Sequence, residues 1–303
     1  MTERRSYTLS QINILLALEK YRFLTTQHMI QLGISKNKSS LSNYMVAPLK
    51  TGKNPPIKYN YKVTSSPAEG RLHNFYYLTE TGAKEVAERM NRNIKDIIRP
   101  ISDPRFAHDY FHRFHYISFW IEFEKFFNRK TKEGADITDY YIEKSYHYMD
   151  KKRVSIKIDG NDYGSSDLVY YIKENEDDEG QKEVIETDGL FLTNNMQDQD
   201  VYMVEVHRSP NTQDILSQIH KRIESMRYQA IYNRFGIEKN GYLLSVSTKE
   251  STLKNILNRI QMLPSIQAFE DCVFFTSIER VKKDFANAWI DFRGGKVNIF
   301  NEL

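Results

Sequence analysis

Two acids stand in otherwise apolar, strand-like runs. Asp188 lies in Glu186-Thr187-Asp188-Gly189-Leu190-Phe191, and Glu205 lies in Val201-Tyr202-Met203-Val204-Glu205-Val206-His207. The polar stretch from Thr193 to Asp200 separates them and reads as a turn. Paired as an antiparallel hairpin, the runs put Asp188 and Glu205 on neighbouring strands. Carboxylates brought together in this way are costly unless a cation lies beside them. A divalent ion held there would neutralise a phosphate, activate water and stabilise a leaving oxygen, which is the chemistry of phosphodiester cleavage. Strand alternation turns His207 to the same face as Glu205, and an imidazole can serve there as base or ligand near neutral pH. Lys221, on the helix predicted next, is a candidate for an added positive charge. His108 and His112 are four apart, a metal-ligand spacing on a helix, although no Glu follows His108 as a helical zinc-protease site would need. His108 is kept as a catalytic candidate; most histidines on such a helix are core or interfacial.

These residues need a framework. Residues 106–127 predict a long helix with aromatics on nearly every side, the mark of a buried helix. A strand is expected at 137–144. An inserted hairpin is expected from 151–159 and 168–173, with Asp159-Gly160-Asn161-Asp162 as turn material. The acidic run 174–183 reads as a solvated loop. After the two acid-bearing strands come a helix at 211–233, a short buried strand at 241–246, a helix at 253–262 and a strand at 272–276. Residues 263–303 carry no functional signature and are expected to close the second domain.

The first third differs in charge. Residues 1–100 contain 16 Lys+Arg and 7 Asp+Glu, a surplus of 9, whereas the remainder has 27 against 33. A basic segment points to a polyanion partner. Helical periodicity starts at Ser10, a capable cap. A short helix follows, capped by Thr25 or Thr26 and ended by Gly33. A third helix repeats apolar residues at Leu41, Met45 and Leu49. Strand-like runs at 57–63 and 74–78 flank the loop 64–71. Three helices followed by a hairpin is the order of a winged helix-turn-helix, whose third helix enters the major groove while the wing touches phosphate. The groove-facing candidates are Lys36, Asn37, Lys38, Ser39, Ser40, Asn43 and Tyr44. The wing candidates are Lys58, Lys62, Arg71 and His73. Docking of a protein partner is the other use of such a module. Thr79-Glu80-Thr81-Gly82 opens a further helix over 83–92, and Pro100 and Pro104 bracket a linker at 99–105.

The 303 residues suffice for two domains, read here as 1–99, a winged-helix DNA-binding domain, and 105–303. Cys272 is the only cysteine, which excludes a disulfide framework and a cysteine-based zinc site and suits a reducing cytoplasm. No apolar run reaches bilayer length and no segment reads as a signal peptide.

From residue 106 the order is helix, strand, strand with Asp188, strand with Glu205, helix, strand. This is the α-β-β-β-α-β order of the PD-(D/E)XK, or restriction-endonuclease-like, nuclease fold, with His207 where Lys is usual. The fold class expected is therefore α+β, a winged helix followed by a nuclease-like α/β domain. Over roughly residues 8–260 the chain resembles the replication-relaxation family of mobile elements, related to MobC-type plasmid relaxases. The matching stretches are Arg22-Phe23-Leu24-Thr25-Thr26-Gln27, Phe75-Tyr76-Tyr77-Leu78-Thr79-Glu80-Thr81-Gly82, Ala107-His108-Asp109, Thr187-Asp188-Gly189-Leu190 and Val204-Glu205-Val206-His207-Arg208-Ser209. The family usually has Pro-Asp and an acidic triplet where this chain has Thr187 and His207. The resemblance implies a DNA-binding domain joined to a domain that nicks or relaxes plasmid DNA without a catalytic tyrosine. His108, Asp188 and Glu205 would be its site residues, and Asp188 and Glu205 would hold Mg²⁺ or Mn²⁺. The expected partner is double-stranded DNA at a plasmid or mobile-element origin, with a homodimer and proteins of conjugation or replication as further partners. The alternative expectation is a non-catalytic DNA-binding regulator or replication-initiation factor whose nuclease-like domain is degenerate.

Overall fold

The N-terminal helix begins where the chain can satisfy its first amides. Thr8 N–H donates to Gln11 Oε1 and Gln11 N–H to Thr8 Oγ1, a reciprocal capping box. Helix α1 (Leu9–Tyr21) therefore starts ahead of Ser10, the cap expected from sequence. Its Ile14, Leu15 and Leu18 are fully buried. The computed structural model describes residues 6–60, 72–97, 99–100, 110–132, 156–158, 161–163, 170–173, 181–184, 187–194, 199–209, 211–230 and 241–299. The chain is a mixed α+β protein of two compact units, 1–121 and 122–303.

In the first unit, Thr25 caps α2 (Thr26–Gln31), again through a capping box, with His28 as the reciprocal partner. Thr25 N–H donates to His28 Nδ1, so the neutral ring carries its proton on Nε2 and donates to the Phe114 carbonyl at 3.0 Å. Gly33 takes φ +76° where α2 ends. The next helix, α3, spans 38–49 and holds a π turn at Leu41–Val46 between two short α segments. Pro48 has no N–H to give a regular α ladder, and Ala47 N–H reaches back five residues to the Ser42 carbonyl. The extra residue rotates the helix phase. Leu41, Val46 and Leu49 are buried, and Met45, expected from sequence in that stripe, is only partly covered.

Strands β1 (Ile57–Tyr59) and β2 (Tyr76–Leu78) pair antiparallel, Ile57 opposite Leu78. Lys62, Arg71 and the loop between them lie outside the described residues. Helix α4 (Glu80–Met90) is capped by Thr79, whose hydroxyl also donates to the Pro55 carbonyl at 2.7 Å. Gly82 is where α4 meets the backbone: a Cβ there would stand 2.1 Å from the Pro56 carbonyl oxygen. Thr-x-x-Gly thus reads as a cap followed by a close approach.

Helix α5 (Tyr110–Lys132) does not lie in one unit only; the division falls within it, after Ile121. Most of the linker expected at 99–105 lies outside the described residues. The first part of α5 packs within the first unit: Phe114, Ser118 and Trp120 contact His28, Gln31 and Tyr21. Residues 101–109, including His108, lie outside the described residues, as does the strand expected at 137–144.

The second unit holds a four-stranded sheet in the order β10-β9-β8-β7, built from β7 (Gly189–Asn194), β8 (Gln199–His207), β9 (Tyr242–Ser247) and β10 (Val273–Ser277). β7 and β8 are antiparallel; β8, β9 and β10 run parallel. Helix α6 (Thr212–Arg227), capped by Asn211, and α7 (Glu250–Ile260) supply the crossovers. Their Ile215, Ile219, Ile223, Leu253 and Ile256 pack with Val201, Met203, Leu243, Val273 and Phe275 on one sheet face. Phe123 of α5 covers the other face, 4.6 Å from Phe191 and 5.9 Å from Tyr202 between ring centroids.

Two small ladders precede β7, and both are local. β3 (Ile156–Ile158) pairs with β4 (Asn161–Tyr163), and β5 (Tyr170–Lys173) with β6 (Gln181–Val184). This corrects the expected pairing of 151–159 with 168–173 and puts part of the acidic run 174–183 into a strand. The short helix α8 (Pro264–Gln267) precedes β10, and after β10 come α9 (Ile278–Lys283) and a return of the chain that bridges Ile290 to Phe275 and buries Trp289. The described residues 263–299 pack within the second unit, the place expected of this segment. No helix among the described residues is long and apolar enough to cross a membrane.

Candidate functional site

The first candidate surface is the polar side of α3. Burial of Leu41, Val46 and Leu49 turns Lys38, Ser39, Asn43 and Tyr44 outward, Tyr44 is 75% exposed, and Lys36 is exposed in the turn before the helix. Ser40 is half-buried. Asn37 is exposed, but its Oδ1 caps α3 by accepting from Ser40 N–H at 2.9 Å, so this oxygen positions the helix. Lys58 is exposed on β1. His73 is half-buried, and its pKa is drawn below the usual histidine value by burial and then by the nearby Lys38 ammonium. Sequence spacing did not foretell that Lys38 and His73 are neighbours. The exposed cations and amides therefore form one polar surface over an apolar stripe.

The second candidate site is the end of the sheet where Asp188 and Glu205 lie. Asp188 precedes β7 and its N–H donates to the Val204 carbonyl at 3.1 Å. Extending the ladder by one position sets Asp188 opposite Glu205. The Asp188 carboxylate turns to the backbone and accepts the Val206 N–H at 2.7 Å. It does for the end of the ladder what another strand carbonyl would do.

Glu205 and His207 continue the row of Val201 and Met203, so they face α6 and are 5% and 3% exposed. The parallel register places Ser245 beside Glu205 and Ser247 beside His207. Both serines are fully buried, and their hydroxyls have no hydrogen-bond partner among the described residues. The polar row thus lies at the carboxyl ends of parallel strands, where α/β sheets ordinarily present their ligand sites.

The cation beside Glu205 is Arg222. Its Nε donates to Glu205 Oε1 at 2.6 Å, with the Arg222 and Glu205 side chains only 10% and 6% exposed. Lys221, the candidate from sequence, is exposed on α6 and faces away from this stripe. Arg222 is three residues after Ile219 and four before Met226, in the helix phase that packs on the sheet.

Taken as donors for a divalent ion, Glu205 has one oxygen committed to a buried guanidinium and Asp188 one committed to an amide. A second positive charge beside Arg222 would be repelled in so enclosed a place. No group of three or more His, Cys, Asp or Glu side chains among the described residues gathers as a metal cluster would require. The residues as placed do not fit Mg²⁺ or Mn²⁺.

At the same sheet end Glu250, opening α7, accepts Ser277 Oγ–H at 2.9 Å and pairs with Arg280 of α9. Arg280 first, and Ser277 after it, hold the Glu250 carboxyl below the usual glutamate value despite partial burial. This cluster ties β10 to α7. Compared with family models, curated proteins and solved structures, the chain finds no match in any of the three.

Proposed function

We propose that the chain is a sequence-specific DNA-binding protein of a plasmid or other mobile element, acting at an origin as a non-catalytic regulator or replication-initiation factor. In this reading the first unit is a winged helix and the second is a nuclease-like scaffold. The observation that carries the DNA assignment is the outward face of α3, where Lys38, Ser39, Asn43 and Tyr44 stand over buried Leu41, Val46 and Leu49, with exposed Lys36 in the turn just before the helix. Such a face suits phosphate and base-edge contacts in a major groove. The buried Glu205–Arg222 pair supports the non-catalytic form, because the guanidinium supplies the charge a metal would bring. The resemblance to the replication-relaxation family agrees with a DNA role.

One observation favours a second reading, a metal-dependent nicking enzyme. Asp188, Glu205 and His207 gather at one end of the sheet in the order that such enzymes use. That reading requires Glu205 to give up Arg222.

Fluorescence anisotropy with an origin duplex over a range of NaCl tests the DNA assignment. Lys36→Ala with Lys38→Ala should weaken binding and lower the salt slope by about 2, near 0.9 for each lost phosphate contact. Unchanged affinity and slope would show that α3 is not the reader.

A further inference from the structure

A cleft of about 700 Å³ opens in the second unit between the last turns of α5 and the segment 281–287 that ends α9. Its walls carry Lys125, Arg129, Lys130, Lys282 and Lys283 against two acids, Glu122 and Asp284. Both acids already have partners. Glu122 Oε1 accepts Lys125 Nζ at 3.0 Å, and Asp284 Oδ2 accepts Asn287 Nδ2 at 2.9 Å. Among the described residues Lys130 and Lys283 make no salt bridge. Arg129 and Lys130 lie 5.9 Å from the Phe126 ring centroid, and Phe126 is itself 5.2 Å from Phe285, so an aromatic pair lines the cleft beside the cations.

Lys282 is exposed as a residue, yet desolvation draws its pKa below the ordinary lysine value; Glu122 opposes this, and the Lys125 charge adds to it. Cations in the last turn of α5 suit that helix's own dipole. Lys282 and Lys283 likewise stand in the last turn of the six-residue α9, and they face the same cleft from the other side. Pockets for small ligands are mostly apolar, whereas cations spread over two elements match a run of phosphates.

We infer that this cleft binds the phosphodiester backbone of a nucleic acid, independently of the polar face of α3. It is a contact made without regard to sequence, through Lys130, Lys282 and Lys283 with Arg129 beside them.

The test uses the full chain and a fluorescein-labelled duplex of arbitrary sequence, with anisotropy followed against NaCl. Lys282→Gln with Lys283→Gln should lower the salt slope by about 2, and Lys130→Gln on the facing helix by about 1, equally for every duplex sequence. The same decrements are expected in a Lys36→Ala, Lys38→Ala background, since separate sites add. Loss of slope with the cleft variants alone would support the cleft while removing the α3 reading. Matching thermal melts check that the variants fold, and the separate Lys130→Gln variant keeps the test open if the Lys282, Lys283 pair does not. Unchanged slope and affinity in both cleft variants would overturn the inference. So would pyrophosphate raising the Tm of the wild-type chain but not of the Lys282→Gln, Lys283→Gln chain, with duplex binding unaffected; the cleft would then be a site for a small free anion.

Discussion

At the scale of single residues, the second unit turns on how it neutralises Glu205. A buried ion pair is weak evidence of net stability, but breaking one side of it is costly because the remaining charge has no water. Arg222→Met should therefore destabilise the unit by about 3–5 kcal/mol, while Glu205→Met with Arg222→Met should cost far less or nothing. Urea denaturation of the single and double variants closes the cycle; a cost for Arg222→Met under about 1 kcal/mol would contradict a buried, dependent pair. Asp188, Glu205 and His207 were legible in the sequence because period-2 alternation around lone polar residues fixes strand and face together. Arg222 was not found, although the information was present. Lys221, the candidate from sequence, is the exposed neighbour, whereas the phase set by Ile215, Ile219, Ile223 and Met226 points Arg222 inward. Ser245 and Ser247 carry no signal of their own; they join the site only once the β8–β9 register is known.

At the scale of elements, sequence reading succeeded where the pattern was long and failed where one residue changed the phase. The helices α1, α4 and α7, the start of α6 and the strands β7 to β10 sit within a few residues of their expected positions, while α6 ends at Arg227 rather than near 233. The π turn in α3 was invisible to a 3.6-residue template, because the insertion moves burial from Met45 to Val46. The ladders β3–β4 and β5–β6 were misassigned because strand pairing is a choice among partners, and near neighbours won here. The contact of α4 with Pro56 gives a sharp prediction. A Cβ at Gly82 would meet backbone, which cannot swing aside as a side chain can. Gly82→Ala should cost about 1–3 kcal/mol through overpacking, although alanine is the better helix former. A denaturation midpoint equal to or above wild type would contradict that close approach.

At the scale of the whole molecule, the charge asymmetry of the sequence is realised as an exposed polar face on α3 in the first unit. The second unit adds the cationic cleft beside α5. The division after Ile121 could not be read from Pro100 and Pro104, since a continuous helix carries no punctuation at the boundary. The two proposed readings differ in what they ask of the Glu205–Arg222 pair, and they can be separated directly. Purified chain is incubated with a supercoiled plasmid carrying its own element's origin, with Mg²⁺ or Mn²⁺, and the products are scored for open circles alongside a binding assay on the same DNA. Binding to the origin with no nicking in either metal is the predicted result. Open circles that form with wild-type chain and vanish with Asp188→Ala or Glu205→Gln would contradict it.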